Sequence, residues 1–91
     1  MTLELHITGV FKKDLKKILR QRKDLEELYN IIELLVHEKI LPEKYRDHQL
    51  IGNWKGRREC HIRPDWLLIY KIDKYALFLE RTGSHSELFS K

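Results

Sequence analysis

The 91-residue chain contains five histidines. Three of them, His48, His61 and His85, lie in its C-terminal half, among stretches rich in turn residues. An imidazole titrates at about pH 6.5 when unperturbed, so near neutrality it can either take up or release a proton. A pair placed on either side of a reacting bond supplies a general base and a general acid. Asp65 sits in a turn close to His61, where a carboxylate can orient an imidazole. Trp66 and Phe89 offer flat surfaces for stacking a base. Lys55, Arg57, Arg58, Arg63 and Arg81 can hold phosphates. Cleavage of RNA by a neighbouring 2′-hydroxyl needs this equipment: a group to remove the hydroxyl proton, another to protonate the departing 5′ oxygen, and cations for the charge on the phosphoryl oxygens. It requires no metal or other cofactor.

Each residue also has a structural explanation. A single histidine is more often structural than catalytic. His48 could cap its loop, Asp65 could be a turn residue after Pro64, Trp66 could belong to the core, and Phe89 could pin the C-terminus. Other chemistries fit less well. The chain has no GxSxG elbow and no glycine-rich phosphate loop. Cys60 falls on the apolar side of a strand, which suits a small buried hydrophobe. Three histidines and an aspartate could suit zinc, but they show no HxxxH or CxxC ligand pair.

These side chains need a scaffold, and hydrophobic periodicity outlines one. Leu3, Leu5 and Ile7 alternate with polar residues, predicting a half-buried strand that ends at Gly9. Phe11, Leu15, Ile18 and Leu19 then follow helical spacing. Asp24 and Glu27 are spaced as a capping box at the start of a second helix, whose stripe is Leu25, Leu28, Ile32, Leu35 and Val36. Ile31 and Leu34 widen that stripe, and Pro42 lies past its end. Residues 42–56 (PEKYRDHQLIGNWKG) predict an irregular loop carrying His48. Arg57 to Arg63 alternate, with Cys60 and Ile62 on one side and Glu59, His61 and Arg63 on the other. Trp66 to Ile72 predict a central strand covered on both faces. Tyr75 to Thr82 predict its neighbour, and Ser84 to Phe89 a short helical turn. The expected fold is therefore α+β: a mainly antiparallel sheet with an N-terminal strand, a two-helix hairpin packed on one face, and three C-terminal strands. In such a meander the His61 and His85 strands flank the Trp66 strand.

Size and composition set limits on this scaffold. The length suits a single domain spanning 1–91. A net charge of +4 favours a polyanionic partner but equally fits a solvated basic surface. One cysteine permits no internal disulfide and suggests a reducing, cytoplasmic setting. The opening MTLELHITGVFKKD lacks the apolar core of a signal peptide. No apolar run approaches the roughly 18 residues of a membrane span, so no membrane association is expected.

The candidate residues fall within a longer pattern. DHQLIGNWKGRRECHIRPDWLLIYKI followed by LERTGSHSELF closely resembles the YafQ group of the RelE/ParE toxin superfamily. The similarity runs from about Asp47 to Phe89, and the strand–helix–helix start agrees with it. The resemblance implies a RelE-like fold. It also implies a type II toxin: a ribosome-dependent endoribonuclease that cuts mRNA in the decoding site. Implied partners are a cognate antitoxin, the ribosome with its rRNA and mRNA, and operator DNA reached only through the antitoxin complex. It implies a catalytic set of His48, His61, Asp65 and His85, with Trp66 and Phe89 carried over and Arg81 at a phosphate-binding position. One departure is Gln49, where the loop motif of the group usually reads DHPL. That change would loosen the backbone around His48.

Two other readings share this fold. A ParE-like toxin would bind DNA gyrase without chemistry, and a degenerate toxin would act only as a corepressor. Neither needs proton-transfer groups, so the histidine set argues against both.

Overall fold

The structure, a computed structural model, describes residues 2–89. Thr8 closes the first strand and starts the first helix: its hydroxyl accepts the Phe11 N–H at 3.0 Å, a side-chain N-cap. The elements are β1 (Glu4–Ile7), α1 (Gly9–Arg20), α2 (Glu26–Val36), β2 (His48–Gln49), β3 (Arg58–Arg63), β4 (Trp66–Asp73), β5 (Ala76–Gly83) and α3 (His85–Phe89). Single 3-10 turns at Glu43–Tyr45 and Gly52–Trp54 flank β2. The sheet order is β1-β5-β4-β3-β2. β1 runs parallel to β5, and every other neighbouring pair is antiparallel. The expected α+β architecture is present, with β3 and β5 flanking β4.

The helices cover one face of the sheet. Phe11, Ile18, Leu28, Ile31 and Leu35 pack on Cys60, Ile62, Trp66, Leu68, Tyr70, Leu77 and Leu79. The second face carries a smaller cluster of Leu67, Ile69 and Leu88, edged by Leu50, Trp54 and Phe89. β4 is thus buried on both sides, which explains its unbroken apolar sequence.

Four local features differ from expectation. First, β1 is not half buried: Leu5 is 43% and Ile7 41% exposed, and only Leu3, just ahead of the strand, is covered. As an edge strand it has a neighbour on one side alone. Second, Glu27 forms no capping box. Asp24 does accept the Glu26 N–H, but Glu27 accepts the Tyr45 hydroxyl at 2.6 Å. A tertiary bond outcompetes the local one, and it pushes the Tyr45 hydroxyl up to about 12. Third, α2 stops at Val36, well short of Pro42, because Glu38 takes a left-handed conformation at φ 58°. Fourth, His48 lies on strand β2 instead of in an irregular loop.

Where β1 ends, α1 takes over the edge of β5. The Asp14 carboxylate accepts the Thr82 N–H at 3.1 Å and receives Arg81 in a bidentate pair at 2.7 and 3.1 Å. A helix side chain thereby satisfies a strand edge that has lost its partner strand. One extra residue, Glu80, bulges from β5: Tyr70 pairs with Leu79 and Ile69 with Arg81. The bulge resets the alternation, so Thr82 faces the helix-side core.

Candidate active site

Cross-strand partners share a face of the sheet. His48 pairs with Glu59, Glu59 with Ile69, and His61 with Leu67. These side chains therefore stand on the second face, over the Leu67–Ile69–Leu88 floor. The loop that follows β5 brings His85 to the same place. The three imidazoles form a row, with centroids 6.2 Å apart for His48–His61 and 5.8 Å for His61–His85. Phe89 continues it at 5.9 Å from His85, and Trp54 meets Phe89 edge-on at 6.0 Å.

Asp47 fixes His48. Its carboxylate takes two bonds from Arg58, at 3.3 and 3.1 Å, and a third from the Tyr70 hydroxyl. That contact holds the Arg58 guanidinium above its usual range, and burial together with Asp47 pushes the Tyr70 hydroxyl well up. Hydrogen bonds to a charged group contribute about 1.5–3 kcal/mol each. The segment around His48 is thus pinned from Asp47 on one side and by β2–β3 pairing on the other, with Gln49 in place of proline. His48 Nδ1 lies 2.7 Å from the Arg46 carbonyl oxygen. A carbonyl only accepts, so Nδ1 donates, and Nε2 is left to exchange protons.

Glu59 is the residue that the sequence reading passed over. Its carboxylate is almost fully enclosed, with 5% of the side chain exposed, and lies 3.3 Å from His48 Nε2 and 3.4 Å from His61 Nε2. The two-residue spacing from Glu59 to His61 on a strand was the available signal. Trp54 was also passed over, because its segment reads as loop.

His85 begins α3. Asp65 accepts its backbone N–H at 3.2 Å, and His85 Nδ1 stands 3.6 Å from the same oxygen. Ser84 and Glu87 form a reciprocal capping box: Ser84 N–H donates to Glu87 Oε1 at 2.8 Å, and Glu87 N–H to Ser84 Oγ at 3.2 Å. Lys17 of α1 clamps the same carboxylate at 2.6 Å. The Lys17 ammonium, then the Ser84 N–H, lower the Glu87 carboxyl to about 2. A Cβ on Gly83 would meet Glu87 Oε1 at 2.9 Å, so glycine lets this clamp close.

A depressed carboxylate stabilises the fold above its unfolded value, here 4.5, and that contribution is lost as pH falls through about 2. Glu87→Gln should therefore cost about 1 kcal/mol at pH 7 after solvent screening, or about 4–8 °C in thermal midpoint. Melting curves should show that gap shrinking below pH 4.5. An equal gap at pH 7 and pH 2 would rule the clamp out.

The remaining expected residues lie elsewhere. Trp66 is 2% exposed in the helix-side core, so both its faces are packed. Its indole N–H donates to Thr82 Oγ1 at 2.9 Å, and Thr82 donates to the Leu67 carbonyl at 2.8 Å, which braces the floor from behind. Arg81 is held by Asp14, which raises its guanidinium further, with 27% of the side chain left exposed. Lys55 lines a groove with Gln49, Leu50, Ile51 and Ile72 that includes none of the three histidines. Cys60 is fully buried in the helix-side core and burial pushes its thiol up, so it presents no nucleophile. His6 and His37 stay on the surface, paired with Glu4 at 2.7 Å and Glu33 at 2.8 Å. Among the described residues no group of three or more His, Cys, Asp or Glu stands together as a metal site. Among the same residues no helix is long and apolar enough to cross a membrane.

Fold and site together define a small α+β domain with a row of three imidazoles on the second face of its sheet. Comparison with known proteins gives the family to which this fold belongs. The family described as a bacterial toxin of type II toxin–antitoxin systems, YafQ, matches residues 3–90. The mRNA interferase toxin YafQ of Escherichia coli (strain K12) is 41% identical over 87 residues, covering 94% of this chain and 95% of that protein. A putative toxin YafQ of Haemophilus influenzae is 35% identical over 92 residues, covering 93% and 90%. The crystal structure of the E. coli DinJ–YafQ toxin–antitoxin complex superposes with a TM-score of 0.91 at 40% identity, covering 98% of this chain and 99% of that one. The chain belongs to the YafQ toxin family.

Proposed function

We propose that the chain is a metal-independent endoribonuclease that cuts mRNA on the ribosome and so arrests translation. The row of His48, His61 and His85, with Glu59 between the first two, is the observation that carries this reading. One imidazole of the His48–His61 pair takes the proton from a ribose 2′-hydroxyl. The freed oxygen attacks the adjacent phosphorus, and the bond from phosphorus to the 5′ oxygen breaks. His85, the most exposed of the three, returns a proton to that 5′ oxygen. The products are a 2′,3′-cyclic phosphate and a 5′-hydroxyl. Asp65 positions His85, and Phe89 with Trp54 offers a surface on which a base can stack. Lys55, and the part of Arg81 that Asp14 leaves exposed, are available to the RNA backbone.

The E. coli relative is named an mRNA interferase and its solved complex contains an antitoxin. By the same reading this chain works in the cytoplasm, is neutralised by a cognate antitoxin, and reaches operator DNA only through that complex. The test is cleavage of mRNA on purified ribosomes in magnesium buffer, by chain stripped beforehand with EDTA and desalted and by untreated chain, with end-group analysis. Cyclic phosphate and 5′-hydroxyl ends at discrete codons, the same for the stripped and the untreated chain, are expected. Intact message together with stalled replication would overturn the reading.

A further inference from the structure

β2 is two residues long, so it covers only the first part of β3. Beyond it, at the free edge of β3, lies a cavity of about 410 Å³. Its lining includes His61 and three cationic side chains, Lys44, Arg46 and Arg63, together with Tyr45 and Glu27. Glu27 is its one carboxylate, and it is engaged: Tyr45 donates to it at 2.6 Å, and Arg63 Nη2 stands at 3.8 Å. No carboxylate lies within ion-pair distance of Lys44 or Arg46 among the described residues. The cavity therefore has surplus positive charge, and it shares His61 with the acid–base row.

The Tyr45–Glu27 bond holds the 3-10 turn against α2. Arg46 follows that turn in a left-handed conformation at φ 49°. Its backbone carbonyl orients His48 while its side chain lines the cavity. One residue thus ties the cavity to the catalytic row.

We infer that this cavity is a phosphate subsite: Arg46 and Arg63, with Lys44 beside them, hold the backbone phosphate that flanks the scissile one in the substrate RNA. The inference rests on the RNA-cleavage reading above. A single strand leaving His61 along the free edge of β3 brings its next phosphate to these cations. A guanidinium holds a phosphate by directed, charge-assisted bonds. These are positioning residues: they bind a non-reacting part of the substrate and so fix the register of the scissile bond.

The test combines protein and substrate changes on programmed ribosomes. Message is prepared with one neutral methylphosphonate at each position flanking the cleaved bond in turn. Wild-type chain is compared with the double variant Arg46→Gln and Arg63→Gln, which remains folded by thermal melting. On unmodified message the variant should show a half-saturating concentration raised about tenfold, the size of a charge-assisted contact at a part-exposed site, with little change in maximal rate. On one methylphosphonate message the wild-type chain should weaken by the same factor, and the variant should lose nothing further. Additive losses on every message would overturn the assignment and place these cations on ribosomal RNA instead. Equal behaviour of the two chains, or a wild-type chain indifferent to every methylphosphonate, would also overturn it. A His85→Ala control that cleaved at the wild-type rate would instead sink the underlying ribonuclease reading, so the two failures are told apart.

Discussion

Replacing His85 with alanine is expected to lower the maximal cleavage rate on programmed ribosomes by about 10²–10⁴-fold, the usual contribution of a positioned proton donor. The half-saturating concentration should stay within a few-fold, because the lost proton transfer matters only as the bond breaks. The fold should survive. With 55% of its side chain exposed, His85 leaves no core cavity when truncated. α3 keeps its capping box and the Lys17 clamp, neither of which uses the imidazole. Thermal melting should therefore match the wild-type chain within a few degrees. His85→Gln sharpens the experiment: it restores size and polarity but cannot deliver a proton, so it should be as inactive as the alanine variant. A folded His85→Ala chain within fivefold of the wild-type rate would end the assignment of His85 as the acid.

The second large effect concerns Glu59. Changing it to glutamine keeps the shape of the side chain and removes its charge from between His48 and His61. The cleavage rate should fall about 10- to 1,000-fold. The upper limit lies below the roughly 10⁴-fold cost of neutralising the orienting aspartate of a serine-protease triad. The smaller effect follows from the geometry, because His48 keeps its bond from Nδ1 to the Arg46 carbonyl. Both Nε2 atoms face the same oxygen, Oε2, and an amide oxygen in its place carries no charge, so it holds a protonated imidazole less strongly than the carboxylate does. The imidazole that takes up the 2′-hydroxyl proton therefore loses its countercharge and part of its fixed orientation. A positioning role predicts that maximal rate falls while half-saturation holds, and that Glu59→Asp recovers part of the rate. A change in melting temperature with cleavage untouched would make Glu59 a structural residue only.

The two experiments test residues of unequal visibility. His85 stands out in the sequence because it follows a strand and a glycine and opens a short helical turn. Glu59 does not stand out, because a lone acidic residue on an alternating strand usually faces water. Only the pairing of Glu59 with His48 across β2 and β3, and of His61 with Leu67 across β3 and β4, turns that alternation into a bridge between imidazoles. Trp66 illustrates the reverse. Its chemistry suits a stacking platform, but strand phase points it at Thr82 and the helices. The Glu80 bulge produces that match and leaves no periodic trace in sequence.

The three histidines were legible as candidate proton-transfer groups because that capacity is intrinsic to the side chain and their positions follow predictable strands and turns. The sheet order of the last three strands and the helix-covered face were legible for a related reason: hydrophobic periodicity is a local property. Tertiary structure alone decided which residues meet. β2 is too short to show a period, and the Asp47–Arg58–Tyr70 bonds that steady His48 span up to 23 residues. Glu27 abandons a nearby cap for Tyr45, 18 residues away. Arg81 closes on Asp14 across 67 residues because β1 ends early and leaves a strand edge to satisfy. Local propensities, worth a few tenths of a kcal/mol to about one, give way to partly buried ionic hydrogen bonds worth more. Sequence therefore determined which groups could do the chemistry, and long-range packing determined which of them stand close enough to do it together.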